Sequence, residues 1–241
     1  MDDERIASGF RTMETVLAHL RRAGRAAGRP QRLVAPGERS WASDLAISDQ
    51  LIEDVQTAKH TRLRWRGAAL LKDPFDLAIY PQLLAELRPA TIIELGAWEG
   101  GSAAWLADHL AMFDIDGHVY SLDVNLARVK VQHPRVTFVP VDLHDLATLA
   151  TPSFGPWVLR TLPHPWLVIE DAHVNVYEVL RFFDRSMRSG DYVIAEDLID
   201  RSKHDEVRRF AIDHGYRVDT AWSDLFGFNV TWNLNGFLRK D

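Results

Sequence analysis

Apolar positions along this chain follow two periods, one helical and one of short uninterrupted runs. Residues 4–25 put Ile6, Phe10, Met13, Val16, Leu17 and Leu20 at helical spacing, with Arg21, Arg22 and Arg25 near the end. That spacing predicts an amphipathic helix whose basic end complements the helix dipole. Residues 28–37, with Gly28, Pro30, Pro36 and Gly37, read as a linker. Further helices are expected over 43–58 and 77–87, the second ending before Pro89. From there short, β-branched, nearly uncharged runs alternate with helical ones. Strands are expected at 91–95, 117–122, 136–140, 165–170 and 191–196, and helices at 101–113, 143–150, 172–188 and 203–214. This alternation implies a mainly parallel sheet with right-handed crossovers and helices on both faces, an α/β fold. No helix separates 216–220 from 231–239, so these are expected to pair antiparallel. The division is a helical extension over 1–60 and one α/β domain over 61–241. Val176, Val179, Leu180, Phe183 and Met187 make a helical stripe that should face the core.

Composition narrows the classes. The chain has 241 residues, 46% hydrophobic and 26% charged, an ordinary composition for a globular domain with a substantial core. The formal net charge of −6 gives no support for nucleic-acid binding. There is no cysteine, which excludes disulfides, thiolate metal sites and thiol nucleophiles. The start, Met1-Asp-Asp-Glu-Arg5, is acidic and no long apolar run follows it, against a signal peptide. No stretch reaches the roughly 18 apolar residues of a membrane span. A cytoplasmic protein is expected, with no membrane partner and an oligomer of identical chains.

Two apolar runs end in acidic pairs, Glu170-Asp171 and Glu196-Asp197. Each run reads as a buried parallel strand, and open α/β sheets bind ligands beyond the carboxyl ends of their strands. Several carboxylates in one cleft repel each other unless a cation or shared protons offset the charge. A divalent cation held by oxygen ligands is the economical reading. Such ligands suit Mg²⁺, Mn²⁺ or Ca²⁺ rather than zinc. Asp171 could instead cap the helix that follows it.

The first strand of the alternating region runs into a turn, Glu94-Leu-Gly96-Ala-Trp98-Glu99-Gly100-Gly101-Ser102. Gly96 permits a sharp turn, and Gly100 and Gly101 would let a ligand approach the backbone. Trp98 stands where a dinucleotide fingerprint has its second glycine, and no Gly-Lys-Ser/Thr follows as in a P-loop. Glu94 is a poor neighbour for a pyrophosphate but suits an ammonium or sulfonium charge. Asp123 closes the next strand, placed to accept two ribose hydroxyls. Asp142 closes the third, placed to meet an adenine edge.

These residues resemble those of a class I S-adenosylmethionine methyltransferase. More narrowly, the chain resembles the family named for cephalosporin hydroxylases and rhamnosyl O-methyltransferases, over about residues 62 to 239. The likeness rests on Trp65-Arg66-Gly67, Lys72-Asp73-Pro74, Glu86-Leu-Arg-Pro89, Ile93-Glu94-Leu-Gly96, Gly100-Gly101-Ser102, Asp171-Ala-His173, Gly190-Asp191-Tyr192, Glu196-Asp197 and Asn235-Gly236-Phe237-Leu238. It implies a Rossmann-like methyltransferase fold. It also implies S-adenosylmethionine as cofactor, at Glu94, Gly96, Trp98, Gly100, Gly101, Ser102, Asp123, Asp142 and Asp171. A Mg²⁺ site, or Mn²⁺, is implied at Asp171, Glu196 and Asp197. The local departures are Ala97-Trp98-Glu99 and the long N-terminal extension.

The expected reaction is metal-dependent O-methylation of a small hydroxyl-bearing metabolite or glycoside, with Asp171 and His173 as catalytic residues. His173 could take the acceptor's proton, support the metal ligands or touch the cofactor. Metal-dependent catechol methyltransferases carry a lysine three residues after the matching aspartate, where this chain has Val174. Two other readings stand beside this one. His144, Asp145 and His173 raise a non-haem iron hydroxylase, and a methyltransferase-like fold could serve as an inactive partner protein. Trp65, Trp98, Trp222 and Trp232 could line an aromatic pocket or simply pack.

Overall fold

A computed structural model of the chain describes residues 31–151 and 154–241. The helix expected over 4–25 lies outside them. A short strand β1 (Leu33–Val34) precedes helix α1 (Asp49–Thr61) and a hairpin of β2 (Arg64–Trp65) and β3 (Ala68–Ala69). Then come α2 (Pro74–Leu87), β4 (Thr91–Leu95), α3 (Gly101–Met112), β5 (His118–Asp123) and β6 (Val136–Pro140). The one-turn helix α4 (Pro156–Leu159) leads to β7 (Trp166–Glu170), α5 (Val176–Asp184), β8 (Tyr192–Ala195) and α6 (Arg201–Asp213). The chain closes with β9 (Tyr216–Asp219), the one-turn α7 (Thr220–Ser223) and β10 (Phe237–Lys240).

Eight strands form one sheet in the order β1-β9-β10-β8-β7-β4-β5-β6. The five strands from β8 to β6 are parallel, as expected. β10 pairs antiparallel with both β8 and β9, so the expected C-terminal pair forms, with Leu238 opposite Val218. Period-2 alternation decides which face each strand residue serves. Ile93, Val168 and Val193 pack with α5 and α6 through Val179, Phe183 and Phe210. Ile92, Leu167, Ile169 and Ile194 pack with α2 and α3 through Ile79, Leu83 and Leu106. The stripe from Val176 to Met187 is buried in the first of these layers.

The differences from expectation lie at element ends. The stretch expected as a helix over 143–150 is one tight turn, Leu146–Leu149, capped by Asp145. The helix expected from 172 starts at Val176, because residues 171–175 form a turn with His173 and Asn175 left-handed. The helix expected over 43–58 runs Asp49–Thr61, with the Ser48 hydroxyl accepting the Leu51 N–H. The last strand begins at Phe237, not 231. β1, β2 and β3 were not anticipated; each is too short to leave a periodic signal. Residues 33–60, read from sequence as part of an extension, add edge strand β1 to the sheet and bring α1 to the cleft.

Candidate active site

A cavity of about 380 Å³ opens beyond the carboxyl ends of β4 to β8. That is within the range of small-molecule sites, roughly 300–1,000 Å³. Gly96, Trp98, Asp123 and Asp142 line one side, and Asp171, His173 and Asp197 another.

The strand pleat sorts the four carboxylates. Glu170 lies opposite Ala195 in the β7/β8 ladder, so Asp171 and Glu196 follow as neighbours on one face. Glu170 turns to the other face. Its Oε1 accepts the Ala172 and His173 N–H groups, and Lys203 Nζ lies 2.6 Å from its Oε2. Asp197 leaves the strand with φ of 51° and joins the cavity. Trp98 (φ 47°) and His173 (φ 58°) are also left-handed. Strained backbone at three cavity-lining residues is the kind of distortion that collects at functional sites. Asp171 does not cap α5; Asn175 holds that position.

Asp171, His173 and Asp197 each offer a ligand atom, all within 4.8 Å of one another. His173 Nε2 lies 3.5 Å from Asp171 Oδ1 and 3.7 Å from Asp197 Oδ2. Two carboxylates and an imidazole around one open point fit a hard divalent cation. Glu196, expected as a third carboxylate ligand, is not in this group. It is buried, with Lys72 Nζ 2.6 Å from Oε2 and the Tyr80 hydroxyl donating to Oε1. Among the described residues no cluster of two histidines and one carboxylate appears, so the geometry gives the iron reading no support. His144 lines the cavity, whereas Asp145 is spent on its turn.

The electrostatics follow from burial and pairing. Burial acts to raise the Asp171 carboxyl, but Lys72 and then His173 outweigh it and hold it well below the usual range. Burial likewise opposes ionisation of Asp197, and His173 and Lys59 outweigh it. Hydrogen bonds to Asp171 and then Asp197 raise the His173 imidazole to about 9.

On the side expected to hold a cofactor, Asp123 Oδ2 accepts the Trp98 N–H at 3.0 Å and Oδ1 accepts that of Asn125 at 2.8 Å. Asp142 Oδ1 accepts the His144 N–H at 2.9 Å. Both acids are thus fixed in orientation at the cavity wall. Arg128 stacks over the Trp98 ring, 4.5 Å from its centroid. Trp98 is the one tryptophan of the four expected candidates to line the cavity; Trp222 and Trp232 are buried, and Trp65 donates to Asp108.

Four expected cofactor residues do not line the cavity. Glu94 is fully buried, accepting the hydroxyls of Ser102 and Ser121. The glycines answer to packing. A Cβ on Gly100 would lie 2.8 Å from Phe138 and Val131, and one on Gly101 only 2.1 Å from the Ala69 carbonyl oxygen. Gly96 lines the cavity and is also pressed on the chain, since its Cβ would lie 2.8 Å from the Asp171 carbonyl oxygen.

Sequence reading missed the cations of the site. α1 brings Gln56, Lys59 and His60 to the cavity, and Lys59 Nζ lies 3.3 Å from both Asp197 oxygens. Lys72 was visible only as part of a motif. The following Asp73 and Pro74 do signal a helix start, but nothing in them shows where the preceding lysine points.

The Rhamnosyl O-methyltransferase/CmcI family model matches residues 57–221. A rhamnosyl O-methyltransferase of Mycobacterium leprae is 26% identical over 201 residues, covering 73% of this chain and 82% of its own. One from Mycobacterium bovis is 26% identical over 179 residues, covering 69% and 70%. A solved structure of CmcI with Mg and SAM has a TM-score of 0.64 and 29% identity, covering 89% of this chain and 88% of that one. CmcI with SAH has a TM-score of 0.60 and 28% identity, covering 82% and 86%.

Proposed function

The chain belongs to the Rhamnosyl O-methyltransferase/CmcI family, and from that premise we propose that it moves a methyl group from S-adenosylmethionine to a hydroxyl of a small specialised metabolite or glycoside, with Mg²⁺ or Mn²⁺ at the acidic cluster. The observation that carries this reading is a single sheet-edge cavity with two distinct sides. Asp123 and Asp142, oriented by backbone N–H groups, suit a ribose and an adenine. Asp171, His173 and Asp197 suit a hard cation. The CmcI structure with Mg and SAM pairs the same two groups in one protein.

A divalent cation at Asp171 and Asp197 supplies acidification and orientation of the acceptor hydroxyl. The rest is positional work by the chain. Methyl transfer needs an in-line approach of oxygen to the sulfonium carbon, so fixing both partners in one cavity supplies much of the rate. Asp171 joins the two sides, with its side chain in the cluster and its backbone carbonyl against Gly96. His173, 3.5 Å from Asp171 and 3.7 Å from Asp197, orients the two carboxylates and is the candidate to take the acceptor's proton. Lys59, Gln56 and His60 wall the cavity from α1.

The test follows S-adenosylhomocysteine release over a panel of rhamnosides, phenols and other hydroxyl-bearing acceptors, beside calorimetric binding of S-adenosylhomocysteine. Turnover should vanish in excess EDTA and return with Mg²⁺ or Mn²⁺, while product binding persists. Undiminished methyl transfer in EDTA would sink the metal. No binding of S-adenosylhomocysteine by the folded protein would sink the reading as a whole.

A further inference from the structure

Lys72 is 1% exposed, beneath the cavity rather than in its wall. Its position is set by the start of α2. Asp73 accepts the N–H groups of Phe75 and Asp76, at 2.7 and 2.9 Å, and Pro74 takes the first helical position. The Lys72 backbone is therefore tied to a rigid cap. Its ammonium lies 2.6 Å from Glu196 Oε2 and 3.1 Å from Asp171 Oδ2. The contact with Oδ2 leaves Asp171 Oδ1 on the side of His173.

Asp171 and Glu196 are neighbours on one face of the β7/β8 ladder. Glu196 is buried and Asp171 half-buried, and two carboxylates so placed repel each other. Lys72 supplies the positive charge between them, and the Tyr80 hydroxyl donates to the other Glu196 oxygen. We propose that Lys72 is a resident counter-ion of the metal site. It spaces and orients Asp171 and Glu196 in the metal-free protein. By adding a fixed positive charge beside the ligands, it holds divalent-cation affinity below what the carboxylates alone would give. It acts through Asp171 and Glu196, so it is a positioning residue and not a catalytic one. The inference rests on the metal-dependent reading above and goes beyond it.

The experiment compares the full chain with its Lys72→Met, Lys72→Gln and Lys72→Arg variants. Mg²⁺ affinity is measured by calorimetry, Tm in EDTA and in saturating Mg²⁺, and S-adenosylhomocysteine binding as a check on the fold. Removing a unit charge beside a divalent ion should tighten Mg²⁺ binding by on the order of tenfold in the Met and Gln variants. Their Tm should fall in EDTA and approach the parent's in Mg²⁺. Lys72→Arg keeps the charge and should stay close to the parent in affinity. A packing role would lower Tm equally in both conditions and leave Mg²⁺ affinity alone. That result overturns the inference, as does weaker Mg²⁺ binding by a variant that still binds S-adenosylhomocysteine. If Lys72→Met fails to fold in EDTA, folding on addition of Mg²⁺ supports the inference. Failure in both, with Lys72→Gln folded and unchanged in affinity, overturns it. Absence of Mg²⁺ binding by the parent would instead remove the metal-dependent reading, and this inference with it.

Discussion

An alanine at Gly101 would set its Cβ 2.1 Å from the backbone carbonyl oxygen of Ala69, and a backbone atom cannot swing aside. Gly101→Ala should therefore lower stability by about 1–3 kcal/mol, the usual cost of overpacking. Urea denaturation checks it. A variant with parental stability but weakened S-adenosylhomocysteine binding would make this glycine a ligand contact instead. Asp123→Ala makes the opposite case. Asp123 faces the cavity, and losing an acceptor for ribose hydroxyls costs about 1–3 kcal/mol. Calorimetry should show S-adenosylhomocysteine bound at least several-fold more weakly; unchanged affinity would remove Asp123 from the site. The contrast explains what was legible residue by residue. Asp123, Asp142, Asp171 and Asp197 end strands, and a strand end is visible in a sequence. Glu94, Glu170 and Glu196 sit at or next to strand ends too, yet all three are buried, where Ser102, Lys203 and Lys72 meet them. Which neighbour of an acidic pair reaches the cavity depends on a left-handed residue such as Asp197, and no pattern of apolar positions reports that.

Between elements, the hairpin of β2 and β3 shows how a feature too short for periodicity is held in place. Trp65 and Arg66 both donate to Asp108 on α3, and Glu99 accepts the Ala69 N–H. The tight β3 contact that forbids a side chain at Gly101 is thus pinned from two directions. Hydrogen bonding from Arg66 holds the Asp108 carboxyl down at about 2, against burial. A carboxyl depressed in the folded state contributes stability above its ordinary range and loses it as pH falls through the folded value. The advantage of the parent over Asp108→Asn should therefore be full above about pH 5 and shrink between about pH 4 and 2, where the protonated acid comes to resemble the amide. Thermal melts across that range test it, and a pH-independent difference would remove the ion pair as its cause. Long elements with a clear period, β4, β5, β7, α3 and α6, were legible almost to the residue. The tight turn at Leu146–Leu149 was not, because Asp145 can cap a single turn as readily as a helix.

For the whole molecule, the strand order places the site. The chain builds β4, β5 and β6 outward in one direction, then returns to add β7 and β8 on the other side of β4. The cleft lies at the reversal, where loops from adjacent strands part. Its proposed cofactor side belongs to β4, β5 and β6 through Gly96, Trp98, Asp123 and Asp142. Its proposed metal side belongs to β7 and β8 through Asp171, His173 and Asp197. The order of strands and acids alone gives this division as an expectation. The cations that make the acidic side tolerable, Lys59 and Lys72, come from residues before the first parallel strand, so no local pattern links them to it. Separate sides imply separable binding. Asp197 stands on the metal side, and its nearest charged partners are Lys59 and His173. Asp197→Asn should remove the rise in Tm produced by Mg²⁺. A ligand at about 100 times its Kd adds about 2.7 kcal/mol, so the rise from S-adenosylhomocysteine should persist at roughly 5–10 °C for a chain of this size. Thermal shifts with each ligand alone and with both decide the matter. Loss of both responses in a folded variant would mean that the two sides bind as one unit, and that the reversal of strand order does not divide the work.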